Sequence, residues 1–416
     1  MNGYVKRNIE GSVHVALKQF PVLMVTGARQ VGKSTLLRNL QTEERYEYVT
    51  LDNPLDRASA KSEPQTFLKR YPSPIIIDEI QYAPELLPYI KIIVDEKRHI
   101  DKANSNGMFI LTGSQMFKLM KDVSESLAGR ACIFHLYGLS TNEILGEHDV
   151  PFLPTYERIS EGKHKKKFSL DELYEIIHRG SFPELTQGVN VQTFHSGYLQ
   201  TYLERDIRDI IAIKDEMKFL KFMASIAVRT AQEINYADIT KEVEIDIKTA
   251  QSWLSILKTS GLVYMLQPYS NNAIKRIIKA PKVYFMDTGL ACFLARYVDS
   301  RTLEISAYSG AIFETYVITE IIKTYANNGM YPELYLYYYR DSNKKEIDLL
   351  IVQNGFVYPI EIKKSGNPSA RILKNFSVLS PLEKANMKIG DGGIICMEDR
   401  IIPINDKNNF IPIQCI

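Results

Sequence analysis

The fold of this chain is decided by residues 21–34, which read PVLMVTGARQVGKS. Residues 21–25 form a short apolar run that is typical of a buried strand, and the run stops at Thr26. Two glycines, a lysine and a serine follow in the spacing GxxxxGKS. A glycine-rich turn that enters a helix gathers backbone N–H donors at one point, and the helix amino end is electropositive. The stretch therefore predicts a phosphate-binding loop (P-loop) between a strand and a helix.

The side chains of this loop indicate how ATP would be held. Lys33 is expected to reach the β- and γ-phosphates, and the Ser34 hydroxyl is expected to ligate Mg²⁺. The pattern predicts nucleotide-binding residues at Gly27, Ala28, Arg29, Gln30, Val31, Gly32, Lys33, Ser34 and Thr35. ATP and Mg²⁺ are therefore the expected cofactors.

Outward from this loop, strand-like apolar runs alternate with segments of helical periodicity. The strand candidates are residues 21–25, 46–51, 75–77, 108–111 and 131–136. Alternation of buried strands with helices predicts a parallel, doubly wound α/β sheet over residues 1–150. In such a sheet the functional loops lie at the carboxyl ends of the strands.

The strand candidate at 75–77 ends in two carboxylates. Asp78 is expected to hold Mg²⁺, mostly through water. Glu79 is expected to orient and polarise the attacking water, which would make it the catalytic carboxylate.

Two further positions are candidates for the hydrolytic step. The strand at 108–111 is followed by Thr112, Gly113 and Ser114. Ser114, or in second place Thr112, is expected to hydrogen-bond the γ-phosphate or the attacking water; the alternative is an ordinary strand-to-helix turn. Arg130 is expected to act as a sensor or an arginine finger, and a finger acting across subunits requires a homo-oligomer.

Several stretches resemble one family. Residues 26–37, 75–81, 111–114 and 127–130 are similar to AAA+-like P-loop ATPases of bacteria and archaea that carry a conserved C-terminal domain of unknown function. The sequences GSFPE at 180–184 and YLERDI at 202–207 match two further stretches of that family, so the resemblance covers nearly the whole chain. It implies an ATPase core with strand order 5-1-4-3-2, and it implies no known substrate.

The composition argues against several classes of protein. The 416 residues carry a formal charge of +2, so a strongly basic DNA-coating protein is not expected, although one domain can still have a basic surface. Cys132, Cys292, Cys396 and Cys415 lie far apart, which argues against a zinc or disulfide framework and fits a reducing cytoplasm. Since neither a signal core nor a bilayer-length apolar run is present, we expect a cytoplasmic protein without a membrane partner.

The sequence pattern changes at two points in the middle of the chain, at residue 151 and again at residue 169. Residues 151–168 carry prolines and the basic run 163–167, and they are interpreted as a linker. The basic run is expected to be a solvated loop, and the alternative is a nucleic-acid contact. Residues 169–230 contain few breakers apart from 180–183 and predict a helical region.

Residues 231–300 have the pattern of a winged helix-turn-helix. Residues 237–243 predict a short helix, and 248–258 predict a second one from apolar residues at helical spacing. Strands are predicted at 262–266 and 282–286, with a polar loop between them. Two helices followed by two strands and a loop describe this motif.

In a DNA-binding version of the motif, the second helix enters the major groove. Its expected exposed positions are Lys248, Gln251, Ser252, Ser255 and Lys258. The wing loop carries Lys275, Arg276 and Lys279, which can contact phosphates. The alternative is a winged helix used for protein packing, and Trp253 is expected in the core rather than stacked on a base.

Residues 305–416 form a last mixed α/β block that contains a predicted hairpin. Within 346–364, two β-rich runs flank the dipeptide NG at 354–355, the strongest short hairpin signal. Counting back from that turn places Asp348 opposite Glu361. Directly opposed carboxylates are destabilising, and a cation between them would relieve the repulsion.

These residues resemble the PD-(D/E)XK nuclease pattern. Asp348 and Glu361 are then expected to hold Mg²⁺, while Lys363 positions or deprotonates a water. Glu314, on a preceding helix, is expected to supply a further metal ligand. The departure from the pattern is that Asp348 follows Ile347 rather than proline. An ordinary charged hairpin, or a nuclease-like fold kept only for binding, remains open beside an intact nuclease.

The sequence thus predicts a P-loop α/β domain, a helical region, a winged helix and a nuclease-like α/β domain. The leading hypothesis is an ATP-hydrolysing protein whose C-terminal domains engage DNA, with Mg²⁺-dependent cleavage. One alternative is a regulatory or signalling NTPase switch whose C-terminal domains bind protein partners without cutting DNA. Another is a structural or toxin–antitoxin-like partner that hydrolyses ATP slowly.

Overall fold

The computed structural model describes residues 3–44, 46–102, 104–113, 123, 125–202, 216–270, 280–341, 343–383 and 387–416. Its strands are numbered here in chain order. They are β1 Val22–Thr26, β2 Glu47–Thr50, β3 Ile75–Asp78, β4 Phe109–Gly113, β5 Ala131–His135, β6 Gln232–Glu233, β7 Val263–Leu266, β8 Lys282–Phe285, β9 Leu336–Arg340, β10 Glu346–Gln353, β11 Phe356–Ile362, β12 Lys388–Ile389, β13 Gly392–Cys396, β14 Ile402–Pro403 and β15 Asn408–Pro412.

Helices surround these strands in the same part of the chain. The α-helices are Glu10–Leu17, Lys33–Glu44, Pro54–Ser62, Pro64–Arg70, Leu86–Ile100, Thr141–Leu145, Tyr156–Glu161, Leu170–Arg179, Val191–Tyr202, Glu216–Ala227, Tyr236–Val243, Ile247–Thr259, Thr288–Leu294, Ser300–Glu304, Ser309–Ala326 and Ser380–Glu383. Short 3₁₀ helices are Ile80–Tyr82, Gly162–His164, Pro183–Gln187, Pro332–Leu334, Ala370–Leu379 and Ile413–Cys415. Among the described residues, no helix is both long and apolar enough to cross a bilayer.

The first sheet is parallel and has the order β2-β3-β4-β1-β5. Read from the other edge, this is the 5-1-4-3-2 order that the resemblance implied. Every residue of β1 and β4 is buried, as expected where helices cover both faces of a parallel sheet. Side chains alternate along β1, so Leu23 and Val25 join one apolar cluster while Val22 and Met24 join another. The carboxyl ends of β1, β3, β4 and β5 meet at one edge, where the P-loop emerges.

The second sheet is antiparallel, in the order β6-β8-β7. Two helices, Tyr236–Val243 and Ile247–Thr259, lie between β6 and β7 in the chain. The side chain of Asp246 caps the second helix by accepting a hydrogen bond from Thr249 N at 2.9 Å. Trp253 is 6% exposed and packs edge-on against Phe219 and Phe222, at ring-centroid distances of 5.1 and 5.5 Å. The predicted wing residues Lys275, Arg276 and Lys279 lie outside the described residues.

The third sheet has the order β14-β15-β13-β11-β10-β9, with β12 paired to β11. The helix Ser309–Ala326 is buried along most of its length and joins this sheet to the P-loop domain. Its Glu320 accepts a hydrogen bond from Thr141 N at 2.7 Å, and its Lys323 donates to Leu139 O at 3.0 Å. The C-terminal sheet is thereby held against the segment that follows β5.

The interpretation of residues 151–168 as a linker is wrong. Phe152 is completely buried, Arg158 is buried within a helix, and Gly162 packs on the backbone of Cys415. Within the basic run, Lys165 Nζ donates to Ile416 O at 2.8 Å, so the run is only partly a solvated loop. Prolines and lysines resemble a linker in sequence, whereas these side chains close the junction with the C-terminal residues.

Candidate functional site

The loop after β1 has the backbone of an anion-binding nest. Gly27, Gln30 and Gly32 have positive φ angles of 142°, 60° and 95°. A Cβ on Gly27 would lie 2.1 Å from the carbonyl oxygen of Leu136, so a side chain cannot be accommodated there. The buried Lys33 donates from Nζ to the carbonyl oxygens of Gly27 at 3.0 Å and Ala28 at 2.8 Å. Its ammonium group therefore lies inside the curl of the loop, where it can neutralise a phosphate chain.

The loop is held from outside by Arg7, which sequence reasoning missed. Arg7 Nη1 donates to Val31 O at 2.8 Å, Nη2 donates to Tyr137 O at 2.8 Å, and Nε pairs with Glu143 Oε1 at 3.0 Å. Arg7 is 3% exposed and the Glu143 side chain is fully enclosed. This buried ion pair joins the P-loop to the segment after β5. Ser34 and Thr35 lie in the first turn of the helix that begins at Lys33.

The carboxylate at the end of β3 is fixed by two hydroxyl groups. Asp78 is buried, and Tyr48 donates to its Oδ2 at 2.6 Å. Thr112 Oγ1 donates to Asp78 Oδ1 and accepts from Glu79 N at 3.0 Å. Thr112, the second-choice polar residue of β4, therefore bridges the two acids. The sequence did not indicate the role of Tyr48. It lies on β2, two residues before Thr50, which pairs with Asp78 across the sheet.

Glu79 has a left-handed backbone, with φ 60° and ψ 47°, which is uncommon for a residue with a side chain. Such a conformation costs about 1–3 kcal/mol, and it persists where the surroundings enforce it. The Glu79 carboxylate accepts a hydrogen bond from the side chain of Gln81. Burial raises the pKa of Glu79, and the nearby Lys33 ammonium partly offsets that rise. A carboxylate with a raised pKa is better suited to accept a proton from water.

Two other predicted catalytic residues are placed differently. Ser114 lies outside the described residues. Arg130 directly precedes β5, and Val22 pairs with Ala131, so Arg130 lies at the amino-terminal edge of the sheet. The P-loop is at the opposite edge, which excludes contact between Arg130 and the loop of the same chain. Arg130 is instead paired with Asp95, at 2.6 Å from Nε to Oδ1.

His135, at the end of β5, connects the P-loop to the second sheet. His135 Nδ1 lies 3.1 Å from Thr26 Oγ1. His135 Nε2 lies against Gly261, which is followed by Leu262, the last residue before β7. A Cβ on Gly261 would lie 2.6 Å from His135 Nε2 and 3.3 Å from Ala28 N. Burial, and then the Lys33 charge, lower the pKa of His135 to about 4. The turn that follows the helix Ile247–Thr259 thus lies against the P-loop.

The segment 180–184, singled out for its resemblance, makes a second connection. Pro183 Cγ is 3.7 Å from where a Cβ on Gly32 would lie. Ser181 donates from N and Oγ to Asp287 Oδ2 at 2.6 and 2.8 Å, and Asp287 follows β8 closely. The motif therefore links the P-loop to the carboxyl end of β8.

The β10–β11 hairpin brings three predicted residues together. Its pairing runs from Gln353↔Phe356 to Leu349↔Ile360, the register counted from the turn. Lys363 Nζ lies 3.0 Å from Asp348 Oδ2 and 3.0 Å from Glu361 Oε2. Burial, with the neighbouring Asp348 charge, raises the pKa of Glu361 to about 7.

Glu314, the third predicted acid, faces a different cation. It accepts hydrogen bonds from Lys282 Nζ at 3.1 Å and Tyr284 OH at 2.8 Å. Within the described residues, no group of three or more histidine, cysteine, aspartate or glutamate side chains is gathered closely enough to hold a metal ion. The structure thus does not join Glu314 to Asp348 and Glu361 as one ligand set. Asp348 and Glu361 supply oxygen donors of the type that Mg²⁺ prefers, and here both are paired with Lys363, which lowers the pKa of Glu361 less than burial and the Asp348 charge raise it.

Three parts of the chain match known families. Residues 19–145 match the AAA domain, residues 170–301 match a domain of unknown function (DUF8612), and residues 309–416 match another domain of unknown function (DUF4143). The resemblance to AAA+-like P-loop ATPases with a C-terminal domain of unknown function is therefore confirmed. The chain has an ATPase-type P-loop domain.

Similar proteins extend over most of the chain. Uncharacterized proteins of Mycobacterium tuberculosis and Mycobacterium bovis are each 28% identical over 387 residues, which cover 92% of this chain and 79% of theirs. A Walker-type ATPase of Pyrococcus abyssi is 16% identical, covering 69% of this chain and 94% of that one, with a TM-score of 0.42. A signal transduction ATPase with numerous domains from Pyrococcus horikoshii, which has a tetratricopeptide repeat sensor, is 10% identical, covering 79% and 48%, with a TM-score of 0.27.

Proposed function

We propose that the chain hydrolyses Mg²⁺-ATP at the P-loop and that its C-terminal half engages DNA. The observation that carries the ATPase proposal is the bridge from Thr112 to Asp78 and Glu79 at the end of β3. It fixes a metal-type carboxylate and a base-type carboxylate beside the Lys33 ammonium. Phosphoryl transfer requires this combination of positioning and charge stabilisation.

The chemistry assigned to these residues is as follows. Ser34 and Asp78 would hold Mg²⁺, which would supply positive charge to neutralise the phosphate chain. Lys33 leaves the carbonyl oxygens of Gly27 and Ala28 to contact the phosphates. Glu79 orients a water molecule for in-line attack and accepts its proton.

The DNA proposal is supported by the exposed face of the helix Ile247–Thr259. Its five predicted contact residues are all exposed: Lys248, Gln251, Ser252, Ser255 and Lys258. The spacing places them along one side of the helix, opposite Trp253. A polar, basic stripe on the second helix of a winged helix fits the major groove.

Cleavage of that DNA is assigned to the β10–β11 hairpin. Asp348 and Glu361 would hold Mg²⁺, which would supply the positive charge for phosphodiester cleavage, while Lys363 positions the attacking water. The domain limits 1–150, 169–230, 231–300 and 305–416 are part of this proposal, as is a homo-oligomer in which Arg130 acts on a neighbouring subunit.

The test is ATP turnover with and without duplex DNA, read beside nicking of plasmid in Mg²⁺. Glu79→Gln should keep ATP binding and lose turnover, whereas Lys33→Ala should lose both. Asp348→Asn should abolish nicking and leave turnover intact. Unchanged ATP turnover in Glu79→Gln would contradict the assignment of Glu79 as the base. Nicking that persists in Asp348→Asn would contradict the assignment of the nuclease site to the β10–β11 hairpin.

The contact of Gly261 with the P-loop favours a second candidate. In this function the chain is a nucleotide-dependent switch, and its C-terminal domains bind a protein partner without cutting DNA. ATP turnover that is the same with and without DNA, together with no DNA binding at low salt, would favour the switch.

A further inference from the structure

A cavity lies between the P-loop domain, the second sheet and the segment that leads to the third sheet. Its walls are the carboxyl end of β5, the turn at Gly261 with β7, and the residues that follow the helix Ser309–Ala326. Its volume is about 280 Å³, close to the lower end of the range of about 300–1,000 Å³ that small-molecule sites have. Thr26 lies on its wall, but none of the described lining residues belongs to the nucleotide loop 27–35. The cavity is therefore lined separately from the phosphate site.

Aromatic rings are the main feature of this lining. The rings of His135 and Tyr137 lie 4.6 Å apart between centroids and are tilted by 54°. Flat rings of this kind stack on one another and on the faces of bases. The aromatic lining residues are Phe134, His135, Tyr137, Tyr264 and Tyr331. The cavity thus suits a flat, aromatic molecule.

Two of these rings carry unpaired hydroxyl groups. Tyr137 is 8% exposed and Tyr264 is 6% exposed, and neither hydroxyl has a hydrogen-bond partner among the residues that the structure describes. Burial, and then the Glu333 charge, raise the pKa of both tyrosines, so both hydroxyls stay protonated and can donate. A buried tyrosine hydroxyl usually has a partner. Two unpaired hydroxyls on the wall of one cavity therefore indicate a ligand that supplies the partners.

The remaining polar groups of the lining carry little charge inside the cavity. The Gln267 amide donates to Met265 O at 3.3 Å and keeps its carbonyl oxygen as an acceptor. Lys258 and Glu333 are exposed, and His135, whose pKa burial lowers to about 4, is uncharged at neutral pH. A neutral molecule with both donors and acceptors along its edge fits this lining better than an ion does.

We propose that this cavity binds a nucleobase, either of a free nucleoside or of an unpaired position in a nucleic-acid strand. The aromatic rings stack on the faces of the base, while the hydroxyls of Tyr137 and Tyr264 and the amide of Gln267 bind its edge. Lys258 is also one of the exposed residues of the helix Ile247–Thr259, so a strand held by that helix would run past the cavity. Only the strand form of the ligand rests on the proposed DNA function.

The test uses 2-aminopurine riboside, whose fluorescence is quenched when its ring stacks on an aromatic side chain. The full chain is first saturated with ADP and Mg²⁺, so that the P-loop site is occupied. Saturable quenching is expected. Tyr137→Phe and Tyr264→Phe should each weaken the binding of the riboside about fivefold, because each removes one hydrogen bond to the base and keeps the ring.

Tyr174→Phe is the matched control, because the buried Tyr174 hydroxyl donates to Ser309 O at 2.8 Å. It should lower the thermal stability and leave the riboside affinity unchanged. The two cavity variants should keep the wild-type stability, since they remove no hydrogen bond within the described chain. Lowered stability with unchanged riboside affinity in the cavity variants would make their hydroxyls structural and overturn the proposal. Quenching that occurs only without ADP would place the base in the ATP site and would also overturn it.

A single-stranded oligonucleotide that contains one 2-aminopurine distinguishes the two sources of the base. Tighter binding of the oligonucleotide than of the riboside, weakened by Lys258→Met and by salt, would identify an unpaired base of a strand. Binding of the riboside without binding of the oligonucleotide would identify a free nucleoside, and the cavity would keep its role although the DNA proposal fails. No quenching of either probe would overturn the nucleobase site, whatever ATP turnover and nicking show.

Discussion

Gly261 lies directly against His135: a Cβ on Gly261 would be 2.6 Å from the imidazole Nε2. The same Cβ would be 3.3 Å from the backbone nitrogen of Ala28 in the P-loop. One position at the end of the helix-turn-helix is therefore in contact with both β5 and the nucleotide loop.

Gly261→Ala should weaken ATP binding and destabilise the chain. Gly261 has φ 71°, so alanine brings backbone strain as well as the clash with His135. The expected loss is about 1–3 kcal/mol in the free energy of unfolding. Chemical denaturation and ATP titration measure the two effects.

Gly146→Ala is the matched control for that substitution. Gly146 has φ 73°, and nothing lies within 4 Å of its would-be Cβ. It should show the strain alone, about 1 kcal/mol, with normal ATP affinity. Adding His135→Ala to Gly261→Ala should recover part of the loss. Equal losses in both glycine variants would show that the contact is unimportant.

His135 should make stability depend on pH. Its pKa is lowered to about 4 by burial and then by Lys33. Unfolded chains bind a proton at this histidine below about pH 6.5, whereas the folded chain does not until about pH 4. The contribution of His135 to the free energy of unfolding is thus present above pH 6.5 and is lost as the pH falls toward 4.

The measurement is the free energy of unfolding at pH 7.5 and pH 5. His135→Asn should lose about 1–2 kcal/mol less than the wild type between these values. His164→Asn, on an exposed residue, should follow the wild-type curve. Identical slopes for His135→Asn and wild type would contradict the prediction.

Arg7→Met should both destabilise the chain and weaken ATP binding. The substitution leaves the enclosed Glu143 without its cation and Val31 O without its donor. Breaking a buried ion pair on one side costs about 3–5 kcal/mol. Thermal unfolding and ATP titration would be compared in the same samples.

Arg7→Met combined with Glu143→Gln separates the two effects. Glutamine removes the buried charge and keeps one oxygen that can accept from Ser140 N in the capping box, but its amide nitrogen cannot accept from Asn8 N, so stability should return in part. ATP affinity should stay low, because Val31 O still lacks its donor. Full recovery of ATP affinity would mean that Arg7 is only structural.

Thr112→Val should slow ATP turnover about a hundredfold through misplacement of Asp78 and Glu79, with little change in ATP affinity. Valine has the shape of threonine and neither donates to Asp78 nor accepts from Glu79 N. Thr112→Ser keeps the hydroxyl and should retain most activity. Steady-state kinetics decide the matter, and wild-type turnover in Thr112→Val would remove the role of the bridge.

The P-loop sheet could be predicted because buried parallel strands have continuous apolar sequences. All five strand candidates correspond to strands of the first sheet, and their motifs lie at one edge. The β10–β11 register was also predictable, since a two-residue turn fixes every pair that follows it. Periodicity and turn chemistry are local signals, and these elements depend on little else.

The remaining contacts depend on residues that are distant in sequence. Arg7, Pro183 and Gly261 reach the P-loop site only through tertiary packing. Their contacts with Glu143, Gly32 and His135 each span more than a hundred positions, and nothing in the neighbouring residues indicates those partners. The linker prediction for residues 151–168 is wrong for the same reason. The surface that covers these prolines and lysines is formed by residues that are distant in sequence.

The packing of Trp253 has a practical consequence. It is the one tryptophan of the chain, enclosed by Phe219 and Phe222. Its fluorescence therefore reports on the joint between the helix-turn-helix and the preceding helix, while the P-loop domain contributes no tryptophan emission. A change in that emission on adding ATP would show that nucleotide binding alters the packing around Trp253, outside the P-loop domain.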